Sequence, residues 1–342
     1  MDNFYVLAVI AMAISAVFTP IVKKIAFKYN ILDIPKGFRK VHKKPIPLLG
    51  GLAIYVSFVS TLIFKSGELS SSETGIIIGA TIIVIGGMLD DKYDIRPRYK
   101  LVFQILAALV LIKFGVQINL ITNPVSNANQ FINLGWLSIP ITILWVTGIT
   151  NALNLIDGLD GLAAGVALIS STTIFIIAIL NHRMDAAILT AILSGAIFGF
   201  LPYNFNPATI FMGDTGAQLL GFLLAAISIE GTIKSAAAFA IAVPILALGI
   251  PIYDTIFAMI RRKVNGKPIM QADRGHLHHR LLDKGLTQKE TVMIMYLISI
   301  VLGGFAIIAT QISNQRAYFL LASVMVFLVI IAYKLGFFQH RD

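Results

Sequence analysis

The sequence predicts an all-α polytopic membrane protein of about eleven transmembrane helices. Three observations predict it. Charged residues make up 13% of the 342 residues, about half the ~25% usual in soluble domains. Hydrophobic residues reach 57%, and the mean hydropathy is +0.84. The apolar runs are continuous and close to the ~20 residues a helix needs to cross a bilayer, whereas a barrel would alternate in segments of about ten. No internal repeat is visible, and the chain reads as one domain, 1–342.

The candidate spans are 4–22, 48–64, 74–89, 101–116, 136–153, 162–180, 186–202, 215–229, 236–259, 291–310 and 317–335. The first follows Met1-Asp-Asn-Phe with no basic n-region and no clear cleavage site, so it is read as a retained span. Span two is entered through Lys44-Pro-Ile-Pro-Leu-Leu-Gly-Gly51, whose Pro and Gly residues mark a sharp turn and a close backbone approach. Span three runs into Asp90-Asp-Lys-Tyr-Asp94. The polar loop 117–135 that precedes span five is long enough for a small hairpin. Spans five and six are joined through Asn151-Ala-Leu-Asn-Leu-Ile-Asp-Gly-Leu-Asp-Gly-Leu162. In span seven, Gly195-x-x-x-Gly199 permits close helix packing, within one subunit or across a homodimer. A turn-rich segment, Pro202-Tyr-Asn-Phe-Asn-Pro207, and then Phe211-Met-Gly-Asp-Thr-Gly216 lead into span eight. Asp254, at the end of span nine, is expected to pair with the basic loop beyond it.

There are no cysteines, which excludes disulfides, thiolate nucleophiles and zinc–thiolate sites. A formal charge of +10 would suggest nucleic acid in a soluble protein. In so apolar a chain it points instead to membrane orientation and to lipid or phosphate ligands, and no nucleic-acid partner is expected. Basic residues crowd the loops 23–47, 90–100 and 260–290, which fall on one side of an eleven-span chain. That side is cytoplasmic by the positive-inside rule, placing the N-terminus outside and the C-terminus inside.

The same count puts Asp90, Asp91, Asp157, Asp160 and Asp214 on the cytoplasmic side, with Gly275-His-Leu-His-His-Arg280. Acids at membrane depth are costly and mark function by default. Asp90 and Asp94, four apart, share a face if the helix continues. Asn151, Asn154, Asp157 and Asp160 form one polar stripe on the same condition. Clustered carboxylates suit a hard cation such as Mg2+, which takes oxygen ligands and keeps waters and substrate phosphates. Asp214 or Thr215 could instead cap a helix. The arginines and histidines of 274–280 suit an anion clamp, an exposed lipid-binding loop, or a zinc site on a fixed scaffold. A cation-coupled transporter would instead carry its acids at midplane depth within an inverted repeat, whereas these gather on one side and no repeat is visible.

Asp90-Asp-x-x-Asp94, Asn151-x-x-Asn-x-x-Asp-Gly-x-Asp-Gly-Leu162, Phe211-Met-Gly-Asp214 and His276-x-His-His279 occur in this order in the polyprenyl-phosphate N-acetylhexosamine-1-phosphate transferases, which the chain resembles over nearly its whole length. The phospho-MurNAc-pentapeptide transferases carry Pro-x-His-His-His in the last cytoplasmic loop. His-Leu-His-His-Arg is nearer the GlcNAc-1-phosphate (WecA/TagO) branch, and the pentapeptide branch stands as the alternative. The resemblance implies a multi-pass enzyme of the bacterial cytoplasmic membrane, sensitive to tunicamycin. UDP-GlcNAc would be the donor, undecaprenyl phosphate the acceptor and UMP the product, at the first membrane step of a cell-envelope polymer. It implies Mg2+, with Mn2+ as a substitute, held by Asp214 with Asp90. Asp90 and Asp91 match the essential acidic pair, with Asp91 expected to orient or deprotonate the acceptor. Asn154, Asp157 and Asp160 match positions near nucleotide and metal. Asn204 and Phe211, with Lys44 nearby, match the uracil pocket. His276, His278, His279 and Arg280 match the sugar and diphosphate end.

Overall fold

The computed structural model describes residues 3–34, 45–65, 67–122, 131–233, 242–264, 266, 275–312 and 314–334. Lys44 lies outside them. The described chain is almost wholly helical: α1 (Phe4–Lys28), α2 (Gly50–Ile63), α3 (Ser71–Tyr93), α4 (Pro97–Lys113), α5 (Ser138–Ile156), α6 (Leu162–Leu180), α7 (Met184–Asn204), α8 (Gly213–Ser228), α9 (Ala242–Ala247), α10 (Gly249–Val264), α11 (Leu277–Asp283), α12 (Gln288–Gln311) and α13 (Asn314–Lys334). Six segments, Phe4–Lys28, Ser71–Tyr93, Gly135–Ile156, Leu162–Leu180, Met184–Asn204 and Gln288–Gln311, are long and apolar enough to cross a membrane. The protein is thus a multi-pass helical membrane protein. Two short antiparallel pairs interrupt the helices: β1 (Leu32–Asp33) with β2 (Ile46–Pro47), and β3 (Leu120–Thr122) with β4 (Phe131–Asn133). The second pair is the hairpin expected of loop 117–135.

α8 is the hub. Its residues from Thr215 to Ser228 are all buried, as expected of a helix that is apolar on every side. α2, α3 and α5 pack around it. α1 lies along α7, where Gly195 and Gly199 meet the backbone of Ala8 and Met12 so closely that a Cβ on either glycine would overlap the facing carbonyl. The small-residue pair therefore works within the subunit. Ser70 with Glu73, and Thr287 with Glu290, form capping boxes at the starts of α3 and α12.

Three expectations need correction. Span nine, drawn as one helix over 236–259, is broken between α9 and α10. Pro251 has no N–H to donate to the carbonyl of Ala247, four residues back. Ser170 Oγ on α6 donates to that carbonyl instead, at 2.7 Å. Asp90 and Asp94 do not share a helical face, because α3 ends at Tyr93 and Asp94 takes a left-handed conformation with φ 50°. The stripe from Asn151 to Asp160 also stops short: α5 ends at Ile156, and 157–161 forms a turn.

Candidate active site

One end of the bundle gathers the segments that carry the acids. A cleft of about 1090 Å³ opens there. Its wall is drawn from the end of α1, the β1–β2 hairpin, the α3–α4 turn, the α5–α6 turn, the loop 204–214 and the start of α12. Asp90, Asp91, Asp94, Asp157, Asp160 and Asp214 all line it, with Asn204 and Phe211. The acids therefore converge at a rim rather than along a path through the bundle.

The centre of the site is the start of α8. Gly213 has φ +69°, and a methyl there would run into the carboxylate of Asp91. Asp91, on α3, accepts from the Asp214 N–H at 2.7 Å, the Thr215 N–H at 3.1 Å and Thr215 Oγ1 at 2.6 Å. A carboxylate from a neighbouring helix thus takes up amides that the first turn of α8 leaves unpaired and complements its dipole. Neither Asp214 nor Thr215 caps its own helix. Asp91, expected to work on the acceptor, lines the cleft with both its oxygens engaged at the start of α8.

With its backbone held by Asp91, Asp214 turns its side chain toward Asp90. Lys100, at the start of α4, joins them: its Nζ lies 2.5 Å from Asp90 Oδ2 and 2.5 Å from Asp214 Oδ2. The other oxygen of Asp90 accepts from the Ile95 N–H at 3.0 Å. The Asn154 side chain lies beside Asp214, and its Oδ1 is buried without a partner. Burial first, then the nearby carboxylates of Asp214, Asp91 and Asp160, push Asp157 up to about 8. Carboxylates gathered this closely ionise together only with a cation among them. Among the described residues no three Asp, Glu or His side chains converge as a ready cage. The oxygens of Asp90, Asp214 and Asn154 nevertheless fit Mg2+, which binds through one or two carboxylates and fills its shell with water and substrate phosphate.

Asp160 has a tying role. Its Oδ2 accepts from Asn206 Nδ2 at 3.1 Å and the Ala208 N–H at 3.0 Å, which fastens the 157–161 turn to the loop before α8. Tyr296 on α12 donates to Gly161 O at 2.5 Å from the far side of that turn. Asn204 Nδ2 holds Ile210 O at 3.0 Å, while Asn204 Oδ1 is buried and unpartnered. The close approach expected at the entry to α2 is present, because Gly50 N–H and Gly51 N–H donate to the carbonyls of Phe211 and Met212 at 2.9 and 3.0 Å. Pro45, next to Lys44, lines the cleft.

The histidine segment is placed differently from an open clamp. Asp254 on α10 meets His276 Nδ1 at 2.8 Å and the Leu277 N–H at 2.8 Å, docking α11. Arg280 Nε and Arg261 Nη1 both donate to Gly275 O, at 3.0 and 2.9 Å. His276, His278 and Arg280 are buried, and the His278 ring packs on Gly158 at the back of the acidic turn. Burial first, then His279, hold the His278 imidazole down to about 3, so it is neutral. The reason is local: a short helix folded back on α10 needs its N-terminus and the preceding carbonyl satisfied. The pairing of Asp254 with the segment beyond it is as expected.

Lys100 is one of the basic residues of 90–100 that orient the chain in the membrane, and its place just inside the Pro97 start of α4, ten residues from Asp90, is the only sequence signal of its role beside the acids. The capping by Asp91 had none, because its partners lie 123 and 124 residues away.

Residues 74–232 match the model of glycosyl transferase family 4. Over 341 residues, 100% of this chain and 94% of the relative, the chain is 38% identical to a probable undecaprenyl-phosphate N-acetylglucosaminyl 1-phosphate transferase of Bacillus subtilis. It is 33% identical to a decaprenyl-phosphate N-acetylglucosaminephosphotransferase of Mycolicibacterium smegmatis over 81% of this chain and 74% of that one. A phospho-N-acetylmuramoyl-pentapeptide-transferase of Halalkalibacterium halodurans is 31% identical, over 87% and 94% of the two chains.

Proposed function

The chain belongs to glycosyl transferase family 4, and on that premise we propose that it transfers GlcNAc-1-phosphate from UDP-GlcNAc to undecaprenyl phosphate in the bacterial cytoplasmic membrane. The observation that carries this reading is the cleft in which Asp90, Asp214, Asp157 and Lys100 meet at one end of an apolar bundle. A water-insoluble acceptor and a soluble nucleotide donor can meet only at such a rim. The identity to the GlcNAc-1-phosphate relative, 38% against 31% for the pentapeptide one, supports the donor. On a topology of eleven spans with the N-terminus outside, the rim would face the cytoplasm, where the donor is.

An oxygen of the lipid phosphate attacks the sugar-bearing phosphorus, the bond to the UMP oxygen breaks, and UMP leaves. Phosphoryl transfer of this kind rests on positioning and charge neutralisation. Asp214, Asp90 and Asn154 Oδ1 would hold Mg2+, which when bound neutralises the diphosphate and stabilises charge on the leaving oxygens. Asn204 Oδ1, lacking a partner, is an acceptor suited to the imide N–H of uracil, and Phe211 offers an apolar face beside it. A phosphate monoester has a second pKa of about 6, so the acceptor arrives largely as a dianion and needs no base. Asp91 accordingly positions Asp214. Asp160 and the docked α11 fix the 157–161 turn from behind.

Membranes supplied with labelled UDP-GlcNAc, undecaprenyl phosphate and Mg2+ should yield lipid-linked GlcNAc and UMP. Failure to form that product, or equal turnover of the UDP-MurNAc-pentapeptide donor, would refute the reading. A phosphorylated aspartate after incubation with donor alone would refute single displacement.

A further inference from the structure

We propose that Lys100 is the resident cation of the metal-free site, an ammonium that holds Asp90 and Asp214 together and yields to the divalent ion when phosphate arrives. The inference rests on the metal assignment made under Proposed function.

Lys100 Nζ lies 2.5 Å from Asp90 Oδ2 and 2.5 Å from Asp214 Oδ2. Those oxygens belong to α3 and α8, and with Asn154 Oδ1 they are the ones open to a metal. The remaining oxygen of Asp90 is engaged by the Ile95 N–H. Ammonium and metal therefore compete for the same lone pairs. The other donors in the cluster belong to the backbone and hydroxyl at the start of α8, and they cannot leave without unwinding it. Lys100 can. Its charge rides on a four-carbon stem with freely turning donors, and its side chain keeps 23% of its surface in the cleft.

Two consequences follow. Without a cation the carboxylates of α3 and α8 would repel at close range, so the ammonium keeps the site assembled between turnovers. A divalent ion arriving alone must evict the ammonium. One arriving with a diphosphate gives the ammonium a new anionic partner inside the same cleft. Metal and phosphate binding should then reinforce each other, and by linkage each raises the affinity of the other by the same factor.

The test is a Mn2+ titration of the purified full-length enzyme, read by electron paramagnetic resonance, with and without UDP. Lys100→Met should bind Mn2+ alone about tenfold more tightly than wild type, or about 1.4 kcal/mol, and should lose most of the enhancement by UDP. Lys100→Arg keeps the charge and should not tighten Mn2+ binding. Unchanged or weaker binding by Lys100→Met, with the UDP enhancement intact, would overturn the proposal.

The wild-type protein gives a readout that needs no variant. Amine acylation, followed by mass spectrometry, should label Lys100 faster in saturating Mn2+ alone than in chelator. Lys65, paired with Glu73 at 2.7 Å and absent from the cleft lining, is the control. Equal labelling of Lys100 in both states would also overturn it. Wild type that binds Mn2+ no better than Asp214→Asn would remove the metal assignment as well, whereas Asp214-dependent binding indifferent to Lys100 would sink only this proposal.

Discussion

Asp91 and Asp214 are the same side chain set to opposite tasks, and single substitutions separate them. Asp91 carries three donors at the start of α8. Asp91→Ala leaves them buried and unpaired, at a cost of about 1–3 kcal/mol each where no water replaces it. Its melting temperature in detergent should fall well below that of wild type. Asp214→Asn keeps the backbone bonds to Asp91 and a polar side chain beside Lys100. It should melt close to wild type while losing Mg2+-dependent turnover, and surviving activity would remove Asp214 from the metal. His278 adds a pH dependence with a definite sign. Its folded pKa is lowered from 6.5 to about 3, so the unfolded chain binds the extra proton between those values. The stability it contributes is present above about 6.5 and is lost as pH falls toward 3. His278→Asn should show a shallower decline in melting temperature over that window, and a parallel decline in both proteins would exclude the effect.

Among elements, the Asp254 carboxylate ties the start of α11 to α10. Asp254→Ala strands the Leu277 N–H and the His276 ring, and hydrogen exchange over 277–283 should rise by orders of magnitude while α8 stays protected. Slow exchange in α11 of the variant would mean that apolar packing alone docks it. Much of this layer was legible. Apolar run length located the long helices, though not the break in span nine or the short α11, because spanning helices satisfy their backbone internally and need little from their neighbours. Pro251 was the visible cause of the break, but the repair by Ser170 was not, since it comes from 77 residues away. The same limit applies to the site. The acids could be found because charge is rare in apolar sequence. Their division into metal-facing Asp214, capping Asp91 and tying Asp160 depends on which backbone amides lie opposite, and that is tertiary. The histidine string pointed to phosphate by its chemistry, yet His276 and Arg280 turn inward because a short helix end has donors and carbonyls to satisfy.

At the scale of the whole molecule, basic loops and acidic motifs were assigned to one side from charge alone, and the fold brings pieces of those loops to a single cleft. Lys23 and Asp33, from one inter-span segment, line it together with Asp90, Asp160, Asp214 and Gln288, each from a different one. The opposite end carries the β3–β4 hairpin and the Ser71 hydroxyl, which donates to Phe114 O at 3.2 Å. Which end faces the cytoplasm follows from the positive-inside rule, and the chain is well suited to test it because it contains no cysteine. Single cysteines can therefore be introduced without a background signal. Tyr93→Cys and Lys284→Cys occupy exposed positions on the cleft side, and Glu68→Cys and Arg316→Cys occupy exposed positions on the other. In intact cells stripped of outer barriers, a membrane-impermeant maleimide should label the second pair and spare the first. Permeabilised cells should label all four. The reverse pattern would turn the molecule over and place the cleft away from the nucleotide pool. Labelling of Glu68→Cys and Lys284→Cys without Arg316→Cys would instead mean an odd number of crossings between Glu68 and Arg316, with the broken α9–α10 segment, unlike a single helix, returning to the side it entered from.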